Sequence, residues 1–293
     1  MFQQLLIAGI ATGCIYALLA LGMTVIFNSS SLVNLAQGEL LMIGGLSYVS
    51  FAVGQKLPFP LALPFPLALV LAMVAAGVVA MAAELLVLRP LRIANAPIVN
   101  AIVMTIGLSM VLESGGELVW GKMPLPAPSP VTTNAIWVGS ASIAPQSLLI
   151  VVCAVVAMVL FWLIFEHTLI GRALQAVSTN RDAAWIMGID ANRTVLLAFA
   201  LSGGLSALAG VLVAPITAAS PMMGSMLGLK GFSAAIIGGF GSLLGAVVGG
   251  ILLGIAETLA AGYISSAYST FLCFGLVMVI LFVKPAGLMP TRR

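Results

Sequence analysis

Apolar residues run along this chain in long blocks divided by short polar stretches, and within the blocks nothing alternates. The segment "LLIVVCAVVAMVLFWLIF" (148–165) is apolar at every position. A half-buried strand would alternate apolar and polar residues, and a soluble amphipathic helix would show one apolar stripe. A block apolar on every side suits a helix surrounded by lipid and by other helices. Blocks of this kind cover about 5–27, 35–54, 61–88, 97–119, 145–165, 196–215, 227–239, 242–261 and 266–283. The seventh is shorter than the roughly 20 residues needed to cross about 30 Å of hydrocarbon. A β-barrel would instead repeat alternating segments of about ten residues. The pattern therefore predicts an all-α polytopic membrane protein of eight or nine transmembrane segments, broken or short helices included. One membrane domain spans 1–293, with no soluble domain. The first block lacks a basic leader and is too long for a signal peptide, so it reads as the first span.

Composition sharpens this picture: 62% of residues are hydrophobic and 6% charged, against about 25% charged in soluble domains. Basic residues in short loops mark the cytosolic face. They occur as Arg89 and Arg92, as Arg172, Arg181 and Arg193, and as Lys284, Arg292 and Arg293. Placing all three groups inside requires nine traverses and an N-terminus outside. If 227–239 enters and leaves on one face, the count is eight and the C-terminus changes side. The Pro- and Ser-rich loop 121–145 is then outside, and the longest hydrophilic segment, 166–195, is inside. No nucleic-acid partner is expected. Cys14, Cys153 and Cys273 lie within apolar blocks, where a thiol packs as a small hydrophobe, so neither a disulfide framework nor a metal cluster is implied.

Two glycine motifs imitate nucleotide sites. "GELVWGKM" (116–123) ends in Met123 where a phosphate loop needs Ser or Thr, and it follows an apolar helix. "GGFGSLLG" (238–245) is one residue off dinucleotide spacing. With a single His and no Ser, His, Asp set, neither hydrolytic nor metal catalysis is supported. The chain is expected to bind no cofactor of its own. Small residues instead repeat every four positions: Gly241, Gly245 and Gly249; Gly250 and Gly254; Gly9 and Gly13; Ser202, Ser206 and Gly210. Such ridges let helices approach closely in lipid. They serve packing within one subunit, a subunit interface, or sliding surfaces in a moving transporter.

Ionisable groups at membrane depth cost about 2.5–3.5 kcal/mol each on insertion scales, so each is a candidate for function. Glu39 follows "SSSLVNLAQG", a polar interruption that predicts a broken helix of the kind lining transport pathways. Glu113 and Glu117 sit near a helix end, where water reaches them, and Lys230 can snorkel. Asn34, Gln37, Glu39, Lys230 and Glu257 form the set of substrate-pathway candidates. For Glu39 and Glu257 a purely structural partner is the equal alternative.

The charged stretch "TNRDAAWIMGIDANR" (179–193) stands out against this background. Residues 171–178 predict one short helix, and Thr179 and Asn180 are suitable N-caps for a second, with Asp182 in its first turn and Gly188 ending it. Trp185, Ile186 and Met187 have no core of their own in so thin a loop. They need something to pack against, either another protein or the chain's own membrane domain.

"DAAWIMG" resembles the EAA loop of ABC importer permeases, with Asp182 in place of Glu and with Ala183, Ala184 and Gly188 at matching positions. "GIATGCIYALLALGMTVIF", "LVNLAQGELLMIGG", "GRALQAVSTNRDAAWIMGID" and "GLKGFSAAIIGGFGSLLGAVVGGILLGIAETLAAGYIS" together resemble the LivH-type permease family of branched-chain amino-acid ABC importers, over almost the whole chain. Asn34, Gln37 and Glu39 fall on the family's Asn-x-x-x-Gly-Glu region, Gln37 where His is frequent. The resemblance implies the ABC importer permease fold in a bacterial inner membrane. It implies a second permease chain of the homologous LivM type, two cytosolic ATPase subunits holding ATP and Mg, and an extracytoplasmic solute-binding protein. The substrate it implies is a branched-chain or related aliphatic amino acid, with urea or short amides as the alternative. Arg172, Arg181, Asp182, Ala183, Ala184, Gly188 and Arg193 would couple to the ATPase, the arginines as rim charges and the alanines and Met187 allowing close approach. An ion-coupled carrier using Glu39 or Glu257 is the rival of another class, and a membrane enzyme is a distant third.

Overall fold

The structure, a computed structural model, describes residues 2–54, 62–94, 97–131, 136–138 and 141–289. The basic residues Arg292 and Arg293 lie outside the described residues, as does the side chain of Asp182. Each apolar block becomes a helix: α1 (Phe2–Ser30), α2 (Gln37–Val53), α3 (Phe65–Ala83), α5 (Ile98–Trp120), α6 (Pro145–His167), α9 (Ala191–Thr217), α10 (Met223–Gly238), α11 (Leu243–Tyr263) and α12 (Ser269–Val283). A five-residue π turn, Glu84–Leu88, and a short α4 (Arg89–Ile93) prolong α3. Pro90 explains the widened turn: it has no N–H to donate and its ring crowds the carbonyl four residues earlier. The helix relaxes by bonding Arg89 N–H back to the Glu84 carbonyl.

Among the described residues six helices are long and apolar enough to cross a membrane. Besides the expected α10, with 16 residues, two further helices are short, α2 with 17 and α12 with 15. At 1.5 Å per residue α10 reaches only about 24 Å. Residue 219, just before it, pairs with Leu125 of the outer loop through N–H to carbonyl bonds of 2.7 and 2.9 Å. Its last residues accept bonds from Leu288 and Met289, beyond the end of α12. The two ends of α10 are thus tied to different segments, the loop after α5 and the stretch after α12. The outer loop also carries a small hairpin that the sequence reading left as irregular, β1 (Ile136–Val138) against antiparallel β2 (Ala141–Ile143).

Of the six long helices α1 and α9 are the most buried, and small residues set how closely their neighbours come. Gly9 and Gly13 meet Gly250, Ile251 and Gly254 across the α1–α11 seam, where a Cβ on Gly13 would lie 2.7 Å from the Ile251 Cα. Gly44 lies against Ala207 and Gly45 against Gly210, joining α2 to α9. An alanine ridge not singled out from the sequence, Ala68, Ala72, Ala76 and Ala80, is fully buried on α3, and Gly203 of α9 packs on its Ala76 and Ala80. These ridges pack against one another within the one chain. Gly245 and Gly249 behave as expected, closing the α10–α11 contact against Gly238 and Ala234. Gly241 does not: it sits in the turn before α11 with φ +95°, a left-handed conformation that favours glycine. Its carbonyl accepts from the Asn28 amide at 2.9 Å, so its role is the turn and not helix packing.

Candidate functional site

The pathway candidates divide into two separate clusters. In the first, Ser31 breaks the chain after α1 with φ +56°, and the Asn34 Oδ1 accepts the Ala36 N–H at 3.1 Å, turning the chain into α2. This is the broken helix the sequence predicted. The first turn of α2 then carries Gln37 and Glu39, 0% and 1% exposed, into the bundle. The Gln37 Nε2 donates to the Ser202 Oγ at 2.7 Å and also to the Ser206 Oγ, the polar members of the α9 ridge. The Glu39 Oε1 accepts from Ser109 of α5 at 3.0 Å. The second oxygens of both side chains, Gln37 Oε1 and Glu39 Oε2, are buried without a hydrogen-bond partner among the described residues. Such orphaned acceptors are rare in a membrane interior and mark polar capacity left open.

In the second cluster Lys230 of α10 donates to the Glu257 Oε1 of α11 at 2.6 Å, and the Tyr16 hydroxyl of α1 donates to Oε2 at 2.7 Å. The two charged side chains are 11% and 13% exposed. Lys230 therefore does not snorkel: a compact ammonium beside a carboxylate is paired where it stands, and it also sits 5.7 Å from the Tyr16 ring centroid. Glu257 is thus bonded at both oxygens, to Lys230 and to Tyr16. Glu117 pairs loosely with exposed Lys122 at 3.5 Å, in keeping with a wetted helix end.

Sequence reasoning missed a third cluster. Glu84, at the π turn, accepts from Arg92 at 2.6 Å, with side chains 1% and 9% exposed. Arg92 also reaches the Asn192 Oδ1 at 3.4 Å, and Arg181 donates to that same oxygen at 2.9 Å. The available signal was the lone Glu84 in an apolar block, eight residues before Arg92. The cluster also places two of the basic groups on one face. Of the third group only Lys284 is described; the segment after it, 286–289, packs on Gly239, beside the cavity of about 740 Å³ lined by Asn28, Glu166, Gln175 and Gly241. By the positive-inside rule that face is cytosolic.

On the same face stand α7 (Leu169–Thr179) and α8 (Arg181–Ile186). The Asn180 Oδ1 caps α8 by accepting the Ala183 N–H at 3.0 Å, and Gly188 ends it with φ +81°. Trp185, Ile186 and Met187 are 74%, 80% and 81% exposed. Arg172, Arg181, Ala183 and Arg193 are exposed around them, with Arg193 held by Asp190 at 3.2 Å. Ala184 departs from expectation. It is 3% exposed and packs on Val177 and Ala191, because its place in the turn points it back at α7 and α9. Its small size fits the loop's own core and does not open a contact surface.

The sequence profile of the family described as "Branched-chain amino acid transport system / permease component" matches residues 5–282. The chain belongs to this family. It is a family of transport permeases and not of enzymes, and this member is a multi-pass membrane protein. Its relatives include the high-affinity branched-chain amino acid transport system permease protein LivH of Escherichia coli, 33% identical over 98% of this chain and 95% of the relative. BraD of Pseudomonas aeruginosa, of the same description, is 30% identical over 98% and 95%. A galactofuranose transporter permease of Escherichia coli is 30% identical over 78% of this chain and 62% of its own length. No solved structure gives a significant match.

Proposed function

We propose that this permease is the membrane subunit of an ATP-driven importer that moves branched-chain or related aliphatic amino acids across a bacterial inner membrane. The observation that carries the reading is the exposed Trp185–Met187 turn on a capped helix held rigidly to α7 and α9. Three large apolar side chains together in water ask for a partner surface, and the partner is one of two cytosolic ATPase subunits, which hold ATP and Mg. A second permease chain, LivM-like, completes the membrane part, and an extracytoplasmic binding protein delivers substrate. The substrate class follows the relatives aligned along nearly their whole length; the sugar permease aligns over a smaller share.

The buried first turn of α2, with the open oxygens of Gln37 and Glu39, is the better pathway candidate of the two membrane clusters. An ion-coupled carrier working through Glu257 is disfavoured by its tight pairing with Lys230 and Tyr16. Uptake of leucine into proteoliposomes tests the reading. It should require the ATPase subunits, ATP and the binding protein together, whereas uptake driven by an ion gradient without ATP refutes it.

A further inference from the structure

The cluster of Glu84, Arg92, Asn192 and Arg181 joins the π turn below α3, and the α4 that continues it, to the first turn of α9 and to α8. The Asn192 Oδ1 is the junction, since it accepts from Arg181 on the docking helix and from Arg92, which is paired with Glu84. A buried ion pair is a poor device for stability alone, because well-packed apolar residues do as well or better. This one is also incompletely satisfied: Glu84 Oε2 and Arg92 Nε have no hydrogen-bond partner among the described residues. What it supplies is direction. The Glu84–Arg92 bond, short and largely shielded from water, is oriented and weakly screened, and Asn192 extends it to Arg181 at the surface, so a shift of α8 has a polar path to the π turn. At its membrane end lies the one π turn among the described residues, a helix register that can lengthen or tighten without breaking. Above that turn, α3 lies along α9 through its alanine ridge.

We propose that Glu84, Arg92 and Asn192 are positioning residues for transport, forming the strut through which displacement of α8 by the ATPase reaches the cytosolic end of α3. The inference rests on α8 being the docking helix. Ile186 and its neighbours make the contact, and the strut, set behind them, carries the movement inward. The variant that tests it is Asn192→Leu, which removes the shared acceptor from a half-buried site on the first turn of α9 and leaves the exposed apolar turn intact. Asn192→Asp keeps an oxygen between the two guanidiniums and serves as the rescue.

Each variant is assembled with its ATPase subunits and binding protein in proteoliposomes, and leucine transported per ATP hydrolysed is measured with co-purification and thermal stability. Asn192→Leu should retain the ATPase and its hydrolysis but lower transport per ATP by about tenfold, within the range by which substitutions between coupled sites change coupling. Asn192→Asp should restore most of it. Unchanged transport per ATP in Asn192→Leu overturns the strut. So does a loss that follows thermal stability and that Asn192→Asp does not repair, since that is purely structural behaviour. If the wild-type assembly transports without regard to ATP, the proposed function fails first and the strut with it.

Discussion

Replacing Lys230 with Met separates the value of the Lys230–Glu257 pair from the cost of its absence. Met matches the length and apolar stem of Lys and removes the ammonium, leaving the Glu257 carboxylate 13% exposed with the Tyr16 hydroxyl as its remaining bonded partner. Breaking a buried pair from one side costs about 3–5 kcal/mol. An unpaired charge at membrane depth costs about 2.5–3.5 kcal/mol on insertion scales. The two scales agree on a loss of about 3 kcal/mol for Lys230→Met. Adding Glu257→Gln removes the stranded charge and keeps an oxygen for Tyr16, so the double variant should return to within about 1 kcal/mol of the parent. Lys230→Met alone should therefore be about 2–3 kcal/mol less stable than the double variant. Equilibrium unfolding in mixed micelles of the parent, both single variants and the double variant measures it. If Lys230→Met is no less stable than the double variant, or all four agree within about 0.5 kcal/mol, Glu257 is not stranded by loss of its partner. The pair is then not the tie between α1, α10 and α11 inferred from its geometry.

Two further outcomes follow from packing. Gly13→Leu places its Cβ 2.7 Å from the Ile251 Cα, so α1 and α11 must part at a cost of about 1–3 kcal/mol or more; Gly107→Ala, with nothing within 4 Å, should gain about 0.5–1 kcal/mol of helix stability, and equal effects in unfolding would refute the seam. On the docking helix, Ile186→Arg, at a side chain 80% exposed, should abolish ATPase co-purification while stability stays within about 0.5 kcal/mol. Ala184→Arg should lower stability as well, because it forces a long charged side chain between Val177 and Ala191. Normal co-purification of Ile186→Arg would leave the exposed turn without a partner.

Much of this protein was legible in its sequence, for physical reasons that are local. Lipid offers no hydrogen bonds, so an apolar block of sufficient length must be a helix, and all nine blocks are. The breaks were equally local: Asn34 turns the chain into α2, Asn180 caps α8 and Gly188 ends it, each through its own side chain or its own φ. The exposure of Trp185, Ile186 and Met187 could be read because three apolar residues in a polar loop have nowhere near in sequence to go.

Tertiary structure alone decided the partners. Lys230 and Glu257 are 27 residues apart and Tyr16 is 241 from Glu257, so nothing along the chain distinguishes a snorkelling lysine from a paired one. Gly241 matched a four-residue repeat, but the repeat ran past the end of its helix into a turn. Ala184 lay in a recognisable motif, yet which way a residue faces on a six-residue helix depends on the neighbours that α7 and α9 supply. The Glu84–Arg92–Asn192 cluster was invisible for the same reason. Arg92 read as a loop charge until the fold brought Asn192, 100 residues away, within reach. Periodicity and capping report on the nearest turn of chain, whereas the pairing of polar groups inside a membrane is settled only when separate helices meet.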